Sequence, residues 1–282
     1  LQTVLGLDAA RIAGCFAVTP AAMGQKLVRA KTRIRDAGIA FAIPEADAVP
    51  GRLGAVRAAI YAAYGTGWDD TYGARPSSLN GEAIFLARLL IDLMPDQPEN
   101  LGLLALMLFC EARRPARRDA AGDFVPLGAQ DPQSWDRAMQ GEAEALLRAA
   151  ARFATPGRFQ TEAAIQSLHA HTLLTGTANH CALMALYDLL VAIAPSLGAQ
   201  VARAAVLADA DPAQALALLD GLGDRAKQYQ PWWAARARAL HHGGETAAAR
   251  EAAAQAAALA TDPAVQRWLL SGALFDTAAR AR

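Results

Sequence analysis

Apolar residues return at helical spacing along nearly the whole chain. Leu53, Val56 and Ile60 make one such series, and Ile84, Leu86, Leu89 and Leu90 another. Near the start, Ile12, Ala13 and Phe16 share one face behind Asp8, a good capping residue. After a tight Val-Thr turn, Pro20 stands at a first helical position, where its missing N–H costs nothing. Met23, Leu27, Ala30 and Ile34 then fall on one apolar face of a second helix. Breaks containing Gly, Pro or Asp fall at 65–81, 95–99, 113–134, 155–158, 174–178, 195–198, 210–212, 223–231, 242–245 and 261–263. No run alternates as a strand does. The pattern predicts an all-α fold: a helix–turn–helix over 1–37, a linker over 38–50 around Gly38, Pro44 and Pro50, a helical domain over 51–177, and helical repeats over 178–282.

Composition sharpens this picture. The chain has 282 residues, enough for a large core; 54% are hydrophobic, Ala and Leu dominate, and only 6% are aromatic. Ala and Leu are the best helix formers, whereas a large sheet calls for β-branched and aromatic residues. The 27 basic and 27 acidic residues cancel, so attraction to a polyanion has to be local. Cys15, Cys110 and Cys181 are odd in number and far apart, which predicts free thiols and a reducing, cytoplasmic setting. No apolar run is long enough to cross a membrane.

Against that neutral balance, 18–35 carries Lys26, Arg29, Lys31, Arg33 and Arg35 and no acid. A short helix, a tight turn and a second helix with a small-polar start and a basic outer face form helix–turn–helix grammar. Thr19, Ala22, Gln25, Lys26, Arg29 and Arg33 are the candidate DNA-contacting positions. Hydroxyl and amide groups at a helix start can reach base edges, and the cations further along can hold phosphates. A solvated amphipathic helix is the plainer alternative.

Other chemistries find little support. His169 and His171 are two apart, on different faces of a helix, so they lack the spacing for a shared metal. Cys110 lies in the apolar run "LLALMLFC" and reads as core. Glu82, Glu111, Asp131 and Asp136 stand near Arg88, Arg113, Arg114, Arg117 and Arg137, which predicts structural salt bridges rather than acid–base catalysis. "GTGWDDTYG" has no preceding strand and no Lys-Ser/Thr, so it is not a phosphate loop. Trp232 and Trp233 read as packing between helices. No metal, cofactor or enzymatic activity is expected. The segment 113–134 exceeds an ordinary helix–helix connection and is expected to be ordered and packed or functional. "VARAAVLADADPAQALALLDGL" and "WWAARARALHHGGETAAAREAAAQAAALATDP" each read as helix, turn, helix, approximating a 34-residue repeat. Such repeats bind peptides or proteins on a concave face.

The stretch "LGLDAARIAGCFAVTPAAMGQKLVRAKTRIRDAGIAFAIP" resembles the second half of region 4 of an extracytoplasmic-function RNA polymerase sigma factor. With "GEAIFLARLL", "LGLLALMLFCEARRPARRDAAGDFVPL", "QDPQSWDRAM", "FQTEAAIQSLHA" and "ALYDLLVAIAPS" in order, the chain is similar to the subgroup with a long tetratricopeptide-like C-terminal extension. It departs from that pattern at "GTGWDD", where the family shows Asn-Glu-Gly, at Cys110–Glu111 in place of His-Asp, and at Ala202 in place of Asn. The resemblance implies that the helix from Pro20 enters the major groove at a −35 promoter element, that core RNA polymerase is the partner of the complete protein, and that the extension serves regulation or polymerase contact. Nothing in the chain corresponds to the family's region 2, and the first helix of region 4 is largely missing before Leu1, so the chain reads as a C-terminal piece of such a factor. Transcription by the isolated chain is therefore not expected. Met23, Leu27 and Ile34 are expected to seek cover on the extension, and DNA binding to be weak and salt-sensitive. The alternative is a protein- or peptide-binding repeat module with a residual DNA-binding segment.

Overall fold

The computed structural model describes residues 7–15, 18–39, 45–69 and 78–275. Among them no strand forms; two residues, Arg118 and Phe124, make an isolated antiparallel bridge. The all-α expectation holds.

The chain opens with α1 (Ala9–Cys15) and α2 (Pro20–Asp36). The Ile12 amide donates to the Asp8 carbonyl at 3.1 Å, and Thr19 Oγ1 accepts from the Ala22 amide at 3.2 Å, capping α2. Leu7, Ile12, Ala13 and Met23 form a small buried cluster with Val18, Leu27 and, from the helical extension, Leu79. The pair thus takes its cover partly from the extension. The four-residue apolar face read for α2 is corrected: Met23 and Leu27 are packed, whereas Ala30 is exposed and Ile34 is 50% exposed, because α2 runs on past the short α1. Phe16 lies outside the described residues. In the linker, Ala46–Ala48 wind into a 3₁₀ turn, a second 3₁₀ turn (Pro50–Arg52) spans its end, and 40–44 lie outside the described residues.

Next come α3 (Leu53–Asp69), α4 (Ser78–Leu93), α5 (Pro98–Ala112), α6 (Arg137–Ala151) and α7 (Arg158–Thr175). The break expected at 65–81 is therefore narrower, since α3 continues to Asp69 and α4 starts at Ser78. Helix α5 is the axis of the core. Leu103, Leu104, Leu106, Met107, Leu108 and Phe109 are each at most 2% exposed, and burial of each such side chain stabilises by roughly 1.5–3 kcal/mol. The N-cap of α7 is Gly157, which has no side chain to cap it; Glu99 of α5 substitutes, accepting from the Phe159 amide at 3.1 Å and the Gln160 amide at 3.0 Å. The same approach explains Gly102, where a Cβ would stand 2.6 Å from the Gln160 nitrogen.

The long segment after α5 is ordered. Arg114–Arg117 form a 3₁₀ turn, and residues 117–125 fold back as a small arm: the Val125 amide donates to the Arg117 carbonyl, Asp119 accepts from the Ala121 and Asp123 amides, and Gly122 (φ +83°) makes the bend. Arg118 pairs with Asp262, Asp123 with Arg267, and the Phe124 ring meets Trp268 edge-on at 5.4 Å, so the arm fastens onto the last described α-helix. The predicted salt bridges are only partly formed. Glu111 accepts from Arg114 at 2.6 and 2.8 Å, but Arg88 pairs with Glu142, Arg137 bonds Gln133, Asp131 caps the 3₁₀ turn Pro132–Ser134 and Asp136 caps α6. Sequence proximity misled there, because i,i+3 reach and capping geometry select the partner.

The remainder is α8 (His180–Ile193), α9 (Leu197–Leu207), α10 (Pro212–Asp220), α11 (Gln230–His242), α12 (Thr246–Leu259) and α13 (Pro263–Leu270). Asn179, Ser196, Asp211 and Asp262 cap α8, α9, α10 and α13. Short turns join α9 to α10 and α11 to α12, and Ala237, Ala249, Ala252 and Ala253 let the latter pair approach closely. Trp232 Nε1 donates to the Leu219 carbonyl at 2.9 Å and Trp233 Nε1 to the Lys227 carbonyl at 2.8 Å, so both indoles are structural.

Candidate DNA-binding surface

A helix turns 100° per residue, which places Ala22, Lys26, Arg29 and Arg33 within a stripe roughly 60° wide along α2. Gln25 flanks it on one side; Met23 and Leu27, which anchor the helix, lie on the other. Thr19, Gln25, Lys26, Arg29 and Arg33 are exposed and Ala22 is half-buried. The five exposed positions therefore project from a helix held by its opposite flank.

The charge on this stripe is uncompensated. Lys26, Arg29, Lys31 and Arg33 make no ion pair among the described residues, while Arg35 pairs with Asp36 at 3.0 Å. The first turn of α2 contains no acid, so its N-terminal dipole adds to the positive field. Thr19 plays a local part that the spacing did not reveal: its oxygen already accepts a backbone bond, leaving the hydroxyl hydrogen to donate to an acceptor outside. Thr32, unremarked in the sequence, shares a shallow recess with Val28, Arg29, Arg33 and Asp36.

The other candidate chemistries disperse. Glu111 is saturated, taking Tyr64 Oη–H at 3.1 Å and the Arg114 guanidinium. Burial, with help from Cys110 and Glu111, holds the Tyr64 phenol far above its ordinary range, so it stays protonated. His169 is pushed down to about 4, first by burial and then by Arg113, and is neutral at pH 7; His171 is exposed. Among the described residues no three His, Cys, Asp or Glu side chains converge as a metal site, and no helix is long and apolar enough to cross a membrane. Cys110 and Cys181 are free thiols. A groove of about 770 Å³ runs between α6, α7 and α8, walled by Leu147, Leu168, Leu174 and Leu186, with Glu144 and His171 at its rim.

Comparison with known proteins places similarity in the extension and across the chain. Residues 52–151 match a family of unknown function, DUF6596. An uncharacterized protein of Rhizobium meliloti (strain 1021) is 38% identical over 265 residues, which is 93% of this chain and 63% of that protein. The chain thus spans less than two thirds of this relative's length. No solved structure matches the chain.

Proposed function

We propose that the protein is the C-terminal part of an RNA polymerase sigma factor, in which α2 reads a −35 promoter element and the helical extension serves regulation or contact with polymerase. The observation that carries this reading is the stripe of Lys26, Arg29 and Arg33, without an ion pair among the described residues, on a capped second helix of a helix–turn–helix, in a chain whose net charge is zero. A structural helix can neutralise such cations with acids three or four residues away; the one acid of α2, Asp36, pairs with Arg35 instead. Phosphates would be held by the cations, and Gln25 and Thr19 are the groups able to reach base edges. Core polymerase is the proposed partner of the complete protein. No bond is made or broken by these residues, so the role is that of a specificity factor.

The experiment is fluorescence anisotropy of labelled promoter duplexes with the whole chain and a Lys26→Ala/Arg29→Ala variant. Weak binding that the variant loses supports the reading; equal binding by both, or none by either at low salt, overturns it. The groove between α6, α7 and α8 favours a second reading, in which the extension binds a peptide and the helix–turn–helix is residual. Absence of DNA binding at low salt would leave that reading standing.

A further inference from the structure

Helix α4 is apolar on two sides. Its inner side supplies Ala83 and Ala87, at most 1% exposed, with Ile84, Leu86, Leu90 and Ile91 packed behind them. Its outer side carries Phe85 at 64%, Leu89 at 40% and Leu93 at 69% exposure. These three recur every four residues, so they form one seam about 12 Å long. A helix that is hydrophobic all round is normally covered all round. Single exposed apolar side chains such as Val28 or Leu270 need no explanation, but three in register on one helix mark an interaction surface.

The charges around the seam select its occupant. Glu82, Asp92 and Asp96 are exposed and make no ion pair among the described residues. The one cation of α4, Arg88, is engaged by Glu142 of α6, with Nη2 2.9 Å from Oε2. The rim is therefore acidic. A second copy of the chain fits poorly, because it would bring the same acidic flank, Glu82 and Asp92, against this one. We propose that the outer face of α4 is the docking site for an amphipathic helix of a partner protein, one with aliphatic anchors at i, i+4 spacing and Lys or Arg on its flanks. Leu79, at the start of α4, packs into the helix–turn–helix cluster, so such a partner would sit beside the DNA-binding unit. The inference does not depend on DNA binding.

Two labelled synthetic amphipathic helices serve as probes: one of leucine and lysine, one with glutamate in place of lysine. The whole chain is expected to bind the lysine helix saturably and the glutamate helix at least about tenfold more weakly. Phe85→Ser/Leu89→Ser/Leu93→Ser should weaken binding of the lysine helix about tenfold or more, and Asp92→Asn/Asp96→Asn should weaken it and flatten its salt dependence. The second variant changes only exposed carboxylates, so it retains its value even if the first fails to fold. Equal binding by parent and either variant, or no binding of the lysine helix, overturns the proposal. A parent that sediments as a dimer and becomes monomeric in the serine variant also overturns it, since the seam is then covered by a second copy.

Discussion

Asn100 sits fully buried at the start of α5 and ties three helices together. Its Nδ2 donates to the Leu90 and Met94 carbonyls at the end of α4, both at 3.2 Å, and its Oδ1 accepts from Arg57 Nε of α3 at 2.8 Å. The Leu90 carbonyl, which also accepts the Met94 amide at 3.1 Å, the Met94 carbonyl and one half-buried guanidinium thus share a single side-chain amide. Asn100→Ala leaves all three without that partner, and denaturant unfolding should show a loss of about 2–4 kcal/mol. A loss below 0.5 kcal/mol would mean that water replaces the amide at little cost. His169 gives a pH signature. Its folded pKa of about 4 lies below the ordinary histidine value, so above about pH 6.5 both folded and unfolded chains hold it neutral. As pH falls from there toward 4, only the unfolded chain gains the proton, and stability falls by up to about 3 kcal/mol. His169→Phe should remove that part of the acid-side loss, read as the difference between the two pH–stability curves; coincident curves would contradict it. Some of this was legible in the sequence. Pro20 announced a helix start because its fixed φ and missing N–H are local properties. Asn100 and Glu99 were illegible because their partners lie on other helices, and no spacing along the chain encodes them.

The arm over 117–125 owes its position to α13. Arg118–Asp262, Asp123–Arg267 and the Phe124–Trp268 contact join segments 144 positions apart in the chain. The Asp123–Arg267 pair is more than half exposed and contributes little by itself, so the more buried Arg118–Asp262 pair and the aromatic contact are the larger part of the hold. In Asp123→Asn/Phe124→Ala, amide hydrogen exchange over 117–125 should speed up at least about tenfold while α11 and α12 keep their protection. Unchanged exchange in the arm would show that its own turn or the Arg118–Asp262 pair, not the aromatic contact, orders it. The length of the segment predicted order, but not where it would dock. Element boundaries followed the same division. Pro212 and Pro263 open α10 and α13 as their position in the sequence suggests, whereas the break expected at 65–81 shrank because Gly65 and Gly67 continue α3. Glycine lowers helix propensity by only about 1 kcal/mol, which packing readily offsets.

At the scale of the molecule, a neutral chain separates its charges. Helix α2 carries Lys26, Arg29, Lys31 and Arg33 with no ion pair among the described residues, α4 carries acids around an apolar seam, and the repeats pair theirs locally, as in Arg238 on Asp209 at 2.8 and 2.6 Å. The sequence made the cationic stripe plain, since helical spacing alone brings Lys26, Arg29 and Arg33 together. It could not show that Ile34 stays uncovered, because coverage depends on how far α1 reaches along α2. The measurement that bears most directly on the DNA-binding claim is the salt dependence of duplex binding by the whole chain, compared with Arg29→Ala/Arg33→Ala. If both guanidinium groups hold phosphates, the plot of log affinity against log salt should be steep for the parent and shallower by about two for the variant. Identical slopes, or binding insensitive to salt, would mean that the stripe on α2 does not touch DNA.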